Sequence, residues 1–263
     1  MTGIHRIPVA GIGTVELSVT ERGEGRPFLL LHGGGGPLTV AGFADLLAAQ
    51  RAARVITPTH PGFGGTPRLD SLASIAGLAA LYVALLAELE LEGVTVIGNS
   101  IGGWIAAEMA LLDTNRISGF VLVDAVGIEV PGHPIADFFS LTPRQVAELS
   151  CHDPDRFGID PSKLPPEALK LMAGNRATLA VYGGSMNEAG LDKRLAGVTT
   201  PTLVVWGDSD HIADADYGRA FAKAIPGARF QLLRDTGHLP QIETPGQLLE
   251  AVSEFLESHA QRR

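Results

Sequence analysis

A serine, several acidic residues and several histidines stand in this chain where they could form a nucleophile, its base and the acid that orients the base. Ser100 is the centre of Gly98-Asn99-Ser100-Ile101-Gly102. The apolar, β-type run Val94-Thr95-Val96-Ile97 precedes it, and an Ala-rich helical pattern from Trp104 to Leu112 follows. G-x-S-x-G between a strand and a helix is the context of a nucleophile elbow. The turn is so sharp that the serine's own backbone is strained, and both glycines must lack a side chain. A hydroxyl is a poor nucleophile at neutral pH. It needs a base within hydrogen-bond reach, and the base needs an acid to fix its tautomer and stabilise the imidazolium. Eight histidines compete for the base, with His238 first and His211, beside an acid candidate, second. Asp210, Asp124 and Asp208 compete for the acid, each shortly after an apolar strand-like run.

Attack on a carbonyl builds negative charge on its oxygen, which two backbone N–H groups usually hold. Ile101 supplies one, with the N-terminal dipole of its helix behind it. The quartet Gly33-Gly34-Gly35-Gly36 supplies the other. That quartet is not a phosphate loop: no Gly-Lys-Ser/Thr follows it and no G-x-G-x-x-G register fits. There is no His-Glu-x-x-His and no cysteine cluster, so neither metal nor cofactor is expected. Cys151, the only cysteine, lies in Ser-Cys-His-Asp without an elbow and reads as a filler or surface thiol.

The elements that position these residues alternate between strand and helix. Val15 to Thr20, Phe28 to Leu31, Arg54 to Thr57, Val94 to Ile97, Phe120 to Val123, Thr202 to Trp206 and Phe230 to Leu233 read as strands. Phe43 to Gln50, Leu72 to Leu89, Asp214 to Ala224 and Gln247 to Ser258 read as helices. The wholly apolar runs are those of strands buried on both faces. Such alternation predicts an α/β fold with a mainly parallel sheet, helices on both faces and sites beyond the carboxyl ends of the strands.

Residues 127–197 break the alternation. They are rich in proline and hold short helical segments, opened by Thr142-Pro143 and Leu164-Pro165-Pro166. A strandless insertion of this length is usually functional or disordered, and its apolar residues argue against disorder.

The chain resembles the α/β-hydrolases along nearly its whole length. The resemblance rests on Leu29-Leu30-Leu31-His32 with the glycine quartet, Pro61-Gly62-Phe63-Gly64-Gly65-Thr66, the elbow, Trp206-Gly207-Asp208-Ser209-Asp210 and Thr236-Gly237-His238. It implies a core of residues 1–126 and 198–263 and a helical cap, residues 127–197, inserted after the sixth strand. It implies a triad of Ser100, Asp210 and His238, with Asp124 at a position some members use for the acid. It implies oxyanion donors Ile101 and Gly34, with Gly35 in reserve, and a structural His32. The substrate pocket is expected among Leu38, Phe43, Trp104, Ile128, Phe138, Phe139, Tyr182, Ile212 and Leu239. A serine at the elbow implies attack on a carbonyl, by an acyl-enzyme route, in a largely apolar ester or lactone. Asn99 and the Gly-rich loop also resemble hydrolases that cleave carbon–carbon bonds of ring-fission products, with Arg176 the available cap arginine. A third reading, of another class, is a small-ligand receptor on the same fold.

The formal charge of −9 is diffuse, and no segment concentrates Lys and Arg, which argues against a nucleic-acid partner. No apolar run reaches the length of a membrane span, and no secretory pattern opens the sequence. A cytoplasmic enzyme acting on a small molecule is expected, with a homodimer left open.

Overall fold

The computed structural model describes residues 1–112 and 114–260; residues 261–263, at the end of the expected core, lie outside the described residues. Eight strands form one sheet: β1 (Thr2–Val9), β2 (Gly13–Arg22), β3 (Arg26–Leu31), β4 (Ala53–Pro58), β5 (Val94–Asn99), β6 (Ile117–Val123), β7 (Thr202–Gly207) and β8 (Arg229–Leu233). Their order is β1-β2-β4-β3-β5-β6-β7-β8. The β1–β2 hairpin and the β2–β4 pair are antiparallel, and every other pairing is parallel. The helices are α1 (Leu38–Arg51), α2 (Ile75–Glu88), α3 (Ile101–Ala110), α4 (Pro143–Ser150), α5 (Pro154–Phe157), α6 (Pro166–Gly183), α7 (Leu191–Leu195), α8 (Ala215–Ala224), α9 (Pro240–Glu243) and α10 (Pro245–Ala260).

The period of two along each central strand divides the core. Phe28, Leu30, Ile97, Val121, Val123, Leu203 and Val205 face α1 and α10, with Phe43, Leu47, Leu248 and Phe255. Leu29, Leu31, Val94, Val96, Phe120, Leu122, Val204 and Trp206 face α2, α3 and α8. This is the α/β-hydrolase fold, with a sheet buried on both faces. Residues 127–197, between β6 and β7, carry four helices and a 3₁₀ turn (Pro161–Lys163). α4 opens with a capping box, in which Thr142 accepts from the Gln145 N–H at 3.3 Å and the Gln145 side chain accepts from the Thr142 N–H at 3.0 Å. One helix of this region is not short: α6 runs 18 residues.

Under the glycine quartet, two buried histidines lock neighbouring loops. The His60 N–H donates to His32 Nε2 at 3.1 Å, and His60 Nε2 donates to the His32 carbonyl at 2.8 Å. His32 Nδ1 donates to the Gly33 carbonyl at 2.7 Å, and His60 Nδ1 accepts from the Tyr82 hydroxyl. Each ring proton and lone pair is thereby used in the neutral form. Burial pushes His32 down to about 4, and His60 also falls well below the ordinary imidazole range. Above about pH 6.5 both are neutral whether folded or not, and titration contributes nothing. Below it the unfolded chain binds protons that the folded chain refuses, so stability falls as pH falls. His32 alone should cost about 2 kcal/mol by pH ~5. Urea unfolding at neutral pH and at pH ~5 should give a clearly lower midpoint at the acid value. Equal midpoints would contradict this account.

Candidate active site

β5 ends at Asn99, Ser100 makes the turn with φ 55° and ψ −120°, and α3 begins at Ile101. For a non-glycine residue this is strained backbone, held by its surroundings. The Ser100 N–H donates to the Val123 carbonyl at 2.9 Å, and its carbonyl accepts from Trp104 N–H at 3.1 Å and Val126 N–H at 3.4 Å. A Cβ on Gly98 would strike the backbone of Gly102, and one on Gly102 would strike the carbonyls of Leu31 and His32. The glycines flanking the serine are therefore steric necessities.

β7 and β8 deliver the other two residues from adjacent positions in the sheet. His238 Nδ1 donates to Asp210 Oδ2 at 2.7 Å, and both side chains are buried. Asp210 Oδ1 accepts the N–H groups of Ile212 at 2.8 Å and Ala213 at 3.3 Å. With its proton on Nδ1, a neutral imidazole carries its lone pair on Nε2, the form a general base requires. Two contacts fix the base loop: His238 N–H on the Ser150 carbonyl at 2.7 Å, and Gly237 N–H on Glu243 Oε1 at 3.0 Å. Asn99, next to the serine, ties that loop to the elbow. Its amide donates to the His238 carbonyl at 2.9 Å and to the Val123 carbonyl at 3.3 Å, and its oxygen accepts from Gln241 Nε2 at 3.0 Å. Among the described residues Ser100 Oγ makes no hydrogen bond to His238; such contacts are often long until substrate arrives.

Of the competing residues, two are exposed and the third is buried beside Asp210. Asp208 is exposed, with Oδ1 accepting from Ser209 Oγ at 2.9 Å and Thr236 N–H at 3.3 Å. His211 is exposed. Asp124 is wholly buried, and its Oδ1 accepts the Gly207 N–H at 2.9 Å. One oxygen or nitrogen each of Asp124, Asp210 and His238 lie within 4.8 Å of one another, a grouping that could ligate a cation. His238 Nδ1 is however already committed to Asp210.

The glycine quartet lies between the serine and α6. A Cβ on Gly33 would sit 3.2 Å from Ser100 Cβ, and one on Gly34 2.8 Å from Leu179 Cδ2. Asn175, buried in α6, donates to the Gly35 carbonyl at 3.1 Å and accepts from the Gly64 N–H at 2.9 Å. Thr178, one turn on, donates to the Gly62 carbonyl at 2.9 Å. Sequence reasoning missed Asn175 and Gln241. The available signal was an Asn, a weak helix former, in mid-helix among apolar residues.

The expected pocket residues separate. Phe43 is a core residue of the α1 face of the sheet, and Leu38 is 78% exposed at the start of α1; neither lines the two cavities described below. Trp104 is buried against Gly127 and Gly183. Tyr182 stacks on Phe63 at 6.4 Å and donates to the Pro61 carbonyl at 2.9 Å. Ile212 is buried beside Asp210, and Leu239 is half-buried at the start of α9. Ile128 lines a cavity of about 420 Å³ with Val130, Ile135 and Tyr217. Phe138 and Phe139 line another of about 300 Å³ that shares Pro134, Ile135 and Asn187 with the first. Ser100 and His238 line neither cavity. Arg176 donates to the carbonyls of Phe138 at 2.8 Å, Phe139 at 2.6 Å and Leu141 at 3.3 Å, and its guanidinium lies 4.9 Å from the centre of the Phe138 ring.

The sequence profile of the Alpha/beta hydrolase family matches residues 28–251. A 2-hydroxymuconate semialdehyde hydrolase of Pseudomonas putida is 27% identical over 254 residues, covering 90% of this chain and 89% of that one. Among solved structures, a thermophilic esterase from Thermogutta terrifontis superposes with a TM-score of 0.78 at 25% identity, over 98% of this chain and 99% of that one. A meta-cleavage product hydrolase from Pseudomonas fluorescens shares the fold, with a TM-score of 0.78 at 22% identity over 98% of both chains. Among the described residues no helix is long and apolar enough to cross a membrane.

Proposed function

The chain belongs to the Alpha/beta hydrolase family, and on that premise we propose that it is a serine hydrolase acting through an acyl-enzyme on an apolar ester or lactone. The observation that carries this reading is the buried Asp210–His238 pair, tied through Asn99 to a serine held in a strained turn. In this reading His238 Nε2 takes the Ser100 proton as Oγ attacks the carbonyl carbon. The N–H groups of Ile101 and Gly34 receive the oxyanion. His238 then protonates the leaving alkoxide, and later takes a proton from the water that releases the acid. Asp210 stays ionised throughout. Residues 127–197 act as a cap, and no metal or cofactor is called for.

Esters rank ahead of carbon–carbon cleavage because ester hydrolysis needs only the triad and the oxyanion donors, and one guanidinium nitrogen of Arg176, Nη2, is held by the carbonyls of Phe138, Phe139 and Leu141. The carbon–carbon reading keeps support from the name of the Pseudomonas putida relative. The deciding experiment compares kcat/KM for short-chain p-nitrophenyl esters, a simple lactone and a vinylogous diketone acid. Esters turning over fastest, with a burst of p-nitrophenol, is the expected result. A diketone acid preferred over every ester would replace it with the carbon–carbon reading. The Arg176→Met variant should become more sensitive to protease near residues 138–141 while its KM for neutral esters and for the acidic substrate changes by the same factor. A rise in KM confined to the acidic substrate would instead put the guanidinium on the substrate.

A further inference from the structure

Asp124 sits directly after β6 in a left-handed conformation (φ 43°), with its N–H on the Val205 carbonyl at 3.0 Å. Its side chain has no exposure to water. Oδ1 accepts the N–H of Gly207, the last residue of β7 and three before Asp210. Oδ2 is equally buried, and among the described residues no N–H or O–H reaches it. What does lie close is Asp210, in the group of three with His238.

Burial and like charge oppose ionisation of two adjacent carboxylates at once, so one of the pair tends to keep a proton. Their donors decide which one keeps the proton. Asp210 accepts three: the N–H groups of Ile212 and Ala213 and the imidazole Nδ1–H of His238. Asp124 accepts one. The anion is better held on Asp210, and a proton on Asp124 Oδ2 gives that orphaned oxygen the one hydrogen bond open to it, donated to Asp210. We propose that Asp124 is a positioning residue of the site, protonated at Oδ2 and donating to Asp210, so that the acid stays ionised and aimed at the imidazole. The proposal rests on the reading of Asp210 and His238 given above. The surroundings agree with it: burial first, then Asp210 and Glu243, push the Asp124 carboxyl well above the usual carboxylate range, with the Gly207 N–H acting the other way. His238 is the other titratable group in the cluster.

Two measurements test this, and the first needs no activity. Infrared difference spectra of the intact protein at neutral pH, wild type minus Asp124→Asn, should show the C=O stretch of a neutral carboxylic acid. The same band should persist in a Ser100→Ala background. Absence of that band from the wild type overturns the shared proton whatever Ser100 does. The second is the pH profile of kcat/KM on p-nitrophenyl acetate. Asn keeps an N–H for Asp210 and an oxygen for Gly207, so Asp124→Asn should stay within about 3-fold of wild type. Asp124→Ala should lose about 10- to 100-fold. It should also move the acid limb to higher pH, because Asp210 with one donor fewer presents more negative charge to the imidazolium. Equal losses in Asn and Ala variants, or an unmoved limb, would reduce Asp124 to a space-filling group. If Ser100→Ala retains hydrolysis, it is the serine-hydrolase reading that fails, separately from the infrared result.

Discussion

Replacing Ser100 by alanine is expected to lower kcat on a simple ester by about 10⁴- to 10⁶-fold with little change in KM. The nucleophile is the only atom group lost. Ser100 is held by backbone hydrogen bonds that alanine keeps, and its hydroxyl makes no hydrogen bond to His238 in this structure. The fold should therefore survive, and an unchanged thermal midpoint is the control. The residual rate would come from the oxyanion donors and from binding alone. Because nucleophile and base act as a unit, Ser100→Ala/His238→Ala should be no worse than Ser100→Ala. Labelling by a fluorophosphonate should be lost from Ser100→Ala and strongly reduced in His238→Ala. Wild-type labelling at another serine, or hydrolysis persisting in Ser100→Ala, would remove Ser100 from the chemistry.

A large loss of stability is expected from Gly102→Ala. A methyl group there is aimed at two carbonyl oxygens, those of Leu31 and His32, at the end of β3. Both belong to backbone fixed by the sheet and the buried histidine pair, so neither can step aside as a side-chain tip could. We expect a loss of more than about 4 kcal/mol, seen as a large drop in urea midpoint or as failure to accumulate folded protein. The informative comparison is Gly42→Ala within α1. No atom lies within 4 Å of the Cβ it would gain, and removing a glycine from a helix stabilises by roughly 0.5–1 kcal/mol. If the two substitutions had the same effect, close approach at the elbow would not be what Gly102 is for.

Much of this arrangement could be read from the sequence because its signals are local. A strand, a serine between two glycines and a helix announce themselves within a dozen residues. The wholly apolar runs at β3, β5, β6 and β7 leave one fold class open. β1 escaped notice because only its inner end is buried: Ile7 and Val9 are covered, while Thr2, Gly3 and Ile4 lie open. α6 read as short because its proline-rich entry hides 18 residues of helix whose apolar positions follow no single stripe. The pocket was the least legible part. Of its expected residues, Leu38 opens α1 and lies open to water while Phe43, in the same helix, packs into the core. Asp124 was legible as a candidate acid, and only the fold shows it beside Asp210. Such contacts between distant loops have no periodicity to betray them.

Ser100, Asp210 and His238 leave the ends of β5, β7 and β8, whereas residues 127–197 enter and leave the sheet between the paired neighbours β6 and β7. On the proposed reading, reactivity and selectivity thus occupy separate addresses in the gene. On that reading, recombination confined to one continuous stretch would exchange the proposed cap while leaving Ser100, Asp210 and His238 on their strands. The exchange carries one condition. An incoming helix must bring an amide in the place of Asn175, since that side chain alone bridges the Gly35 carbonyl and the Gly64 N–H across two loops. A lineage built on this layout is free to change its diet without relearning its chemistry, provided that single rivet is inherited with the new wall.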